Sequence, residues 1–274
     1  MRSQAQGRMH TLRNAGMTVL AIILFLGMQP GARADSIAYI ATGADQFGTI
    51  DLNTGVFTQL GNMGQLLSGL GVAGGKLYGG VNEGDTLYEV NPATGTLTAV
   101  GTGSVTYADF GSTTSGLYAV NCLASCGVSG IRSLYSINPA TGAATLIGST
   151  GVGQDTTAIG LSSGSGTLYF TSDSDLYSLN TTTGAATLIG NTGVSAFGAL
   201  VFEDGVLYGG SYPSDEVYTL NTSTGAATLV TSTSGVSSFW GLAPYPLKAT
   251  PEPSSLLLLG TALLGLAALA RRHW

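Results

Sequence analysis

The sequence predicts an all-β protein, a five-bladed β-propeller of four-stranded blades, on three observations. The first is composition: only 9% of the 274 residues are charged, against a usual ~25%, and 42 are glycine. Too few Lys, Arg and Glu remain for a helical bundle, whereas Gly, Thr and Ser suit short strands and tight turns. The second is a recurring segment: Leu87-Tyr-Glu-Val-Asn-Pro-Ala-Thr-Gly95, Leu134-Tyr-Ser-Ile-Asn-Pro-Ala-Thr-Gly142, Leu176-Tyr-Ser-Leu-Asn-Thr-Thr-Thr-Gly184 and Val217-Tyr-Thr-Leu-Asn-Thr-Ser-Thr-Gly225, preceded by a weaker copy ending at Gly55. The closing glycines lie 40, 47, 42 and 41 residues apart, the length of a propeller blade. The third is that the strand count closes, as set out below.

In chain order, the first element is a secretory signal peptide, residues 1–34. Arg2, Arg8 and Arg13 form its basic start, Met17 to Met28 its apolar stretch, and Ala32 and Ala34 the small residues of the cleavage site. Twelve helical residues rise about 18 Å, short of a ~30 Å hydrocarbon core, so the stretch reads as a leader and the mature chain starts at Asp35.

Residues 35–244 form the propeller domain. Each unit reads as four strands, a to d from the axis outward. Strand a is a glycine-spaced apolar run, as in Ser68-Gly-Leu-Gly-Val72 and Ala158-Ile-Gly-Leu161. Strand b carries Leu77-Tyr78, Leu117-Tyr118, Leu168-Tyr169 or Leu207-Tyr208, with Ala38-Tyr39 in the first unit. Strand c is the Leu-Tyr-x-Ile-Asn of the repeat, and strand d follows its glycine. The Asn-Pro-Ala-Thr-Gly between c and d is hairpin chemistry: Pro presets φ, Asn bonds its own backbone and Gly accepts φ > 0. Nine of the 12 tyrosines fall in the b and c slots, where they pack blade on blade. The first unit starts at Ser36 without a strand a, and the chain ends with Ser238-Phe-Trp-Gly-Leu-Ala243, a strand a without followers. Placing the last strand in the first blade joins the ends and removes free sheet edges.

After a linker, residues 245–250, comes a tail, residues 251–274, with three ordered features. Pro251-Glu252-Pro253 leads, a charge-free apolar run from Leu256 to Ala270 is expected to form a transmembrane helix, and Arg271-Arg272-His273-Trp274 ends the chain. Under the positive-inside rule the arginines stay cytoplasmic and the domain lies outside. This order resembles the PEP-CTERM sorting signal of Gram-negative bacteria. The resemblance implies an exosortase in the membrane that cuts at or near Pro251, Glu252 and Pro253. It also implies release or cell-surface placement, often in species that make extracellular polysaccharide.

Between Asp35 and Lys248 three basic residues set against 14 acidic ones give a net charge of −11 and exclude nucleic acid as a partner. No histidine lies in this domain, because His10 and His273 belong to the two ends. Gly69-Leu-Gly-Val-Ala-Gly74 matches a dinucleotide-binding pattern and Gly160-Leu-Ser-Ser-Gly164 a nucleophile elbow. Both are the same a–b hairpin in different blades, without the helix or the base that the chemistry needs. Cys122 and Cys126 have neither redox CxxC spacing nor the further ligands of a zinc site, and are expected to pin a long b–c loop, Asn121 to Arg132, by a disulfide, the alternative being a free pair. Asn180 and Asn221 sit in glycosylation sequons that are also repeat turns.

The b–c and d–a loops share one face, which gathers Asp45, Glu83, Asp85, Asp155, Asp173, Asp175, Asp215 and Glu216. Glu83 with Asp85 and Asp173 with Asp175 are the candidate pairs for Ca2+, the alternative being acids placed for solubility. No other cofactor is implied. Asp109 is expected near the axis, with Glu203 near a strand end, whereas glycoside hydrolysis needs two facing carboxyls. These readings add up to an exported envelope or extracellular-matrix protein, non-enzymatic, binding polysaccharide or a surface protein. The rival is a propeller hydrolase of lactonase or glycosidase type using channel carboxylates, and a third reading is a passive structural coat protein.

Overall fold

The structure, a computed structural model, describes residues 36–122, 130–154 and 159–245. The signal peptide with Ala32 and Ala34, the tail with Pro251, Glu252, Pro253 and its expected helix, Cys126 and Asp155 lie outside the described residues. All regular structure among the described residues is β, in twenty strands.

The strands follow one another as antiparallel hairpins. β1 (Ile37–Thr42), β2 (Gln46–Asp51) and β3 (Phe57–Asn62) pair in that order. So do β4 (Leu67–Ala73), β5 (Lys76–Val81), β6 (Thr86–Val90) and β7 (Leu97–Thr102). The pattern repeats in β8 (Tyr107–Thr113), β9 (Gly116–Asn121), β10 (Gly130–Ile137) and β11 (Ala144–Gln154). It repeats again in β12 (Ile159–Ser165), β13 (Leu168–Ser172), β14 (Asp175–Leu179) and β15 (Ala186–Asn191). Then come β16 (Phe197–Glu203), β17 (Val206–Ser211), β18 (Glu216–Leu220) and β19 (Ala227–Ser232). The last strand, β20 (Phe239–Pro244), returns to pair with β1 through Tyr39 and Ala243, Ile40 and Leu242.

The repeat motif builds the turn its residues dictate. Asn91, Asn138, Asn180 and Asn221 each accept the backbone N–H two residues on with the side-chain Oδ1, at 2.8–2.9 Å, and Asp51 does the same in the weaker copy. Gly55, Gly95, Gly142, Gly184 and Gly225 all take φ between 73° and 83°. The two sequon asparagines are thus turn residues.

Packing runs between successive units. Tyr78 and Leu87 share a core cluster with Phe110, Leu117 and Ile137; Tyr118 and Leu134 with Leu161, Leu168 and Phe170; Leu176 with Phe197, Leu200 and Leu207. Tyr208 and Val217 then pack on Ile40, Ile50 and Leu242, while Tyr39 and Phe47 pack on Leu67, Leu70 and Leu77, so the curled sheet meets itself. Each such side chain is fully or almost fully buried, contributing roughly 1.5–3 kcal/mol. On the outer edge a Cβ at Gly61, Gly101, Gly148 or Gly190 would run into the carbonyl of Thr94, Thr141, Thr183 or Thr224 of the next c–d turn. The corresponding residue of β19 is Thr231, whose Oγ1 donates to the Thr54 carbonyl at 3.3 Å, and Val56 bridges Ser234.

Two expectations are corrected. The strand c of the third unit begins at Gly130, so Ile131 and Arg132 belong to β10 and not to the loop before it, and Arg132 is buried. The inner strands also do not stand apart around an axis: β12 pairs in parallel with β8 and with β16. Glycine permits the approach, since a Cβ at Gly111 would strike the Ser162 carbonyl and one at Gly160 would lie 2.9 Å from Leu200 Cγ.

Candidate functional site

The b–c and d–a loops do lie together. The Asp45, Asp85, Ser174 and Asp215 carbonyls accept the N–H of Met63, Gly103, Thr192 and Thr233 at 2.7–3.0 Å, tying these four b–c turns to the chain leaving strand d. Within these turns Asp45, Glu83, Asp173 and Asp215 hold φ of 51–58°. That left-handed position is one Asp tolerates better than most residues, which suits Asp45, Asp173 and Asp215 to these turns.

The carboxylates themselves are largely engaged. Asp215 Oδ1 accepts from the Ser238 N–H at 2.8 Å, and Asp175 Oδ1 accepts from Asn191 Nδ2 at 2.9 Å. Asp173 Oδ1 is buried without a hydrogen-bond partner. Calcium takes 6–8 oxygen ligands, and among the described residues no three Asp, Glu, His or Cys side chains converge. Glu83 with Asp85 and Asp173 with Asp175 remain pairs in separate turns.

Asp109, in β8, is 1% exposed. Its Oδ1 accepts from the Phe110 N–H and its Oδ2 from the Leu161 N–H of β12, both at 2.6 Å. Across from it Gly69 of β4 leaves room, since a Cβ there would overlap Oδ1. Burial pushes this carboxyl well above its ordinary 3.8, outweighing the two N–H donors. It holds inner strands together and faces no solvent. Glu203, at the end of β16, is pushed up to about 7 by burial and by Asp204. Ser162 of the elbow pattern is buried in β12, its Oγ accepting from the Tyr169 N–H at 2.8 Å. Cys122, after β9, is buried and disulfide-bonded.

The opposite face, made by a–b and c–d hairpins, carries a hollow of about 580 Å³. Its floor and walls are Val72, Gly74, Ser112 to Tyr118, Ser136, Gly164 and Pro244, with no Asp, Glu, Lys or Arg among the described residues. Ser112 Oγ accepts from the Val72 N–H at 2.9 Å, and Thr113 Oγ1 from the Ser115 N–H at 3.1 Å, while Thr114 and Ser115 are exposed. A smaller hollow of about 240 Å³ adjoins it, lined by Tyr39, Val72, Pro92, Pro244 and the Lys76–Glu89 ion pair at 2.7 Å. Sequence reasoning missed this face. Its signal was the hydroxyl run Ser112-Thr-Thr-Ser115, unbroken by the glycines that interrupt the other a–b turns at Gly74, Gly164 and Gly205.

Residues 249–272 match the PEP-CTERM protein-sorting motif. No curated protein matches the chain. Among solved structures it is similar to a chain of the nidogen/laminin complex, at 12% identity over 77% of this chain and 81% of that one, with a TM-score of 0.51. It is also similar to a calcium-binding regucalcin from Agrobacterium tumefaciens (18% identity, 70% and 68% covered, TM-score 0.44). A Bacteroides thetaiotaomicron protein of unknown function matches at 17% identity, with 60% and 43% covered and a TM-score of 0.43. At 12% identity the likeness to the first of these is one of fold, and that fold is propeller-like. The chain is a PEP-CTERM-sorted protein with a propeller-like fold. Its motif implies export, membrane-anchored sorting at the envelope and exosortase-type machinery as a partner.

Proposed function

We propose that the chain is a five-bladed propeller of four-stranded blades that binds an uncharged, hydroxyl-rich polymer, an extracellular polysaccharide, in the larger hollow, without chemistry of its own. The observation that carries this reading is the lining: serine and threonine hydroxyls, glycine backbone and Tyr118 in a space of about 580 Å³, with no charged side chain among the described residues. Such a wall offers donors and acceptors to sugar hydroxyls, an apolar surface to a sugar ring, and nothing to an ionic ligand. Export and sorting at the envelope would deliver the hollow to where such polymers are.

The test uses the mature chain, Asp35–Lys248, co-sedimented with the producing cells' own extracellular polysaccharide, first with Ca2+ and then with a chelator. Binding is expected to survive the chelator, to be lost in Ser115→Trp, which fills the hollow, and to persist in Asp173→Asn. Absence of binding in both conditions overturns the polysaccharide reading and leaves a surface protein as ligand. Binding that needs calcium and Asp173 moves the site to the acidic rim. The hydrolase rival has one observation in its favour, the carboxyl of Glu203 poised near neutrality. Hydrolysis of a glycan or lactone that is lost in Glu203→Gln would replace the binding reading.

A further inference from the structure

Both ends of the described chain leave on the face that carries the hollow. Ala38 at the start of β1 pairs with Pro244 at the end of β20. Pro244 lines both hollows, and the next residue, Tyr245, rests on Tyr39 with ring centroids 4.9 Å apart. The exit is therefore fixed at the lip of the hollow. Ten residues, 246–255, separate Tyr245 from the apolar run at Leu256. Fully extended they reach at most ~35 Å. While the tail is embedded, the membrane surface lies within that distance of the hollow, and the acidic b–c turns point the other way.

We propose that the sorting cut is also the switch for binding: the anchored chain keeps its hollow toward the membrane and excludes a polymeric ligand, and severing the tail exposes it. This rests on the hollow being the binding site. A small molecule would still reach it in the anchored state. A polymer has to pass between the protein and the lipid, and that confinement costs it conformational freedom. The acidic face stays accessible before and after the cut.

The experiment reads accessibility and needs no ligand. The full chain carrying Ser115→Cys or Thr114→Cys in the hollow, or Ala44→Cys on the acidic face, is reconstituted in phosphatidylcholine vesicles, floated, and treated with a bulky polyethylene-glycol maleimide. In the anchored chain the Thr114 and Ser115 variants are expected to label several-fold more slowly than the Ala44 variant. The ratio should return to that of the tail-less chain when a long Gly/Ser segment is inserted after Tyr245. Equal ratios in the anchored and tail-less chains overturn the proposal. That failure is separate from a failure of the polysaccharide reading, which shows as absence of co-sedimentation by the tail-less chain.

Discussion

Replacing Asp109 by Asn changes one buried group and tests why it is there. The carboxyl accepts two backbone N–H donors at 2.6 Å, one from its own strand and one from Leu161 of β12. Asn keeps one acceptor oxygen and turns an NH2 group toward the other donor, leaving a buried N–H unsatisfied at a cost of about 1–3 kcal/mol. The pH dependence separates this loss from a generic packing defect. Burial raises the Asp109 pKa well above 3.8, so as pH rises past ~4 the unfolded chain gives up its proton while the folded chain keeps it. The stability from this group is thus complete at low pH and falls by at most ~1.4 kcal/mol per pH unit until the folded pKa is passed. The amide of the Asp109→Asn variant does not titrate, so the wild-type advantage should be largest in acid and shrink toward neutrality. Urea midpoints of both chains, measured in steps from acid to neutral pH, give the comparison. Parallel curves would refute the reasoning. A wild-type advantage that grows with pH would show that the two amides favour the carboxylate more than burial opposes it.

Three further outcomes follow from the same geometry. Gly190→Ala drives a Cβ into the Thr224 carbonyl and should cost about 1–3 kcal/mol, whereas Gly166→Ala, with open space around it, should stay within ~0.5 kcal/mol in the same thermal melt. Asp173→Gly should be neutral or stabilising by up to ~1 kcal/mol, because Gly takes the 51° φ freely and removes the buried, unpartnered Oδ1; a clear loss of stability would mean the carboxylate has a ligand. Glu203→Gln should flatten the stability–pH curve between the carboxyl's ordinary 4.5 and about 7, where the raised folded pKa makes stability fall as pH rises; an unchanged curve would mean that Glu203 titrates alike in the folded and unfolded chains.

Local chemistry was legible in the sequence and long-range placement was not. The five Asx-type turns and their left-handed glycines follow from the motif alone, because Asn or Asp and Gly act within four residues of each other. The tyrosine slots follow from period two in a strand: Leu77, Leu117 and Leu134 face one core shared with a neighbouring unit, and Tyr78, Tyr118 and Tyr135, next in sequence, face the core on the opposite side. The closing strand was also readable, since the first unit lacks an inner strand and the last residues supply one. Asp109 was readable as an inner-strand residue, but its partner was not, because the Leu161 N–H lies 52 positions away and carries no side-chain signature. The rim acids look like ligand pairs by spacing, and the positive φ of one member of each pair, Glu83 and Asp173, was not readable from the sequence.

Glycine explains why the acids and the hollow end up on opposite faces. An inner strand carrying Gly69 and Gly71, or Gly111, can approach its neighbours closely enough for backbone contact, which leaves little space at the centre for a reacting group or an ion. Polar side chains are then left to the hairpins at the two ends of the strands. At one end the four described b–c turns each hold one residue at positive φ, and Asp or Glu fills that place in all four, so turn geometry gathers charge there. At the other end the a–b turns are free to vary, and the turn between β8 and β9 carries the unbroken hydroxyl run Ser112-Thr-Thr-Ser115 in the wall of the hollow, beside the strand end from which the chain departs for its tail. Variation at a turn whose geometry does not demand it is where selection on a ligand would be recorded, and the hollow sits at that turn.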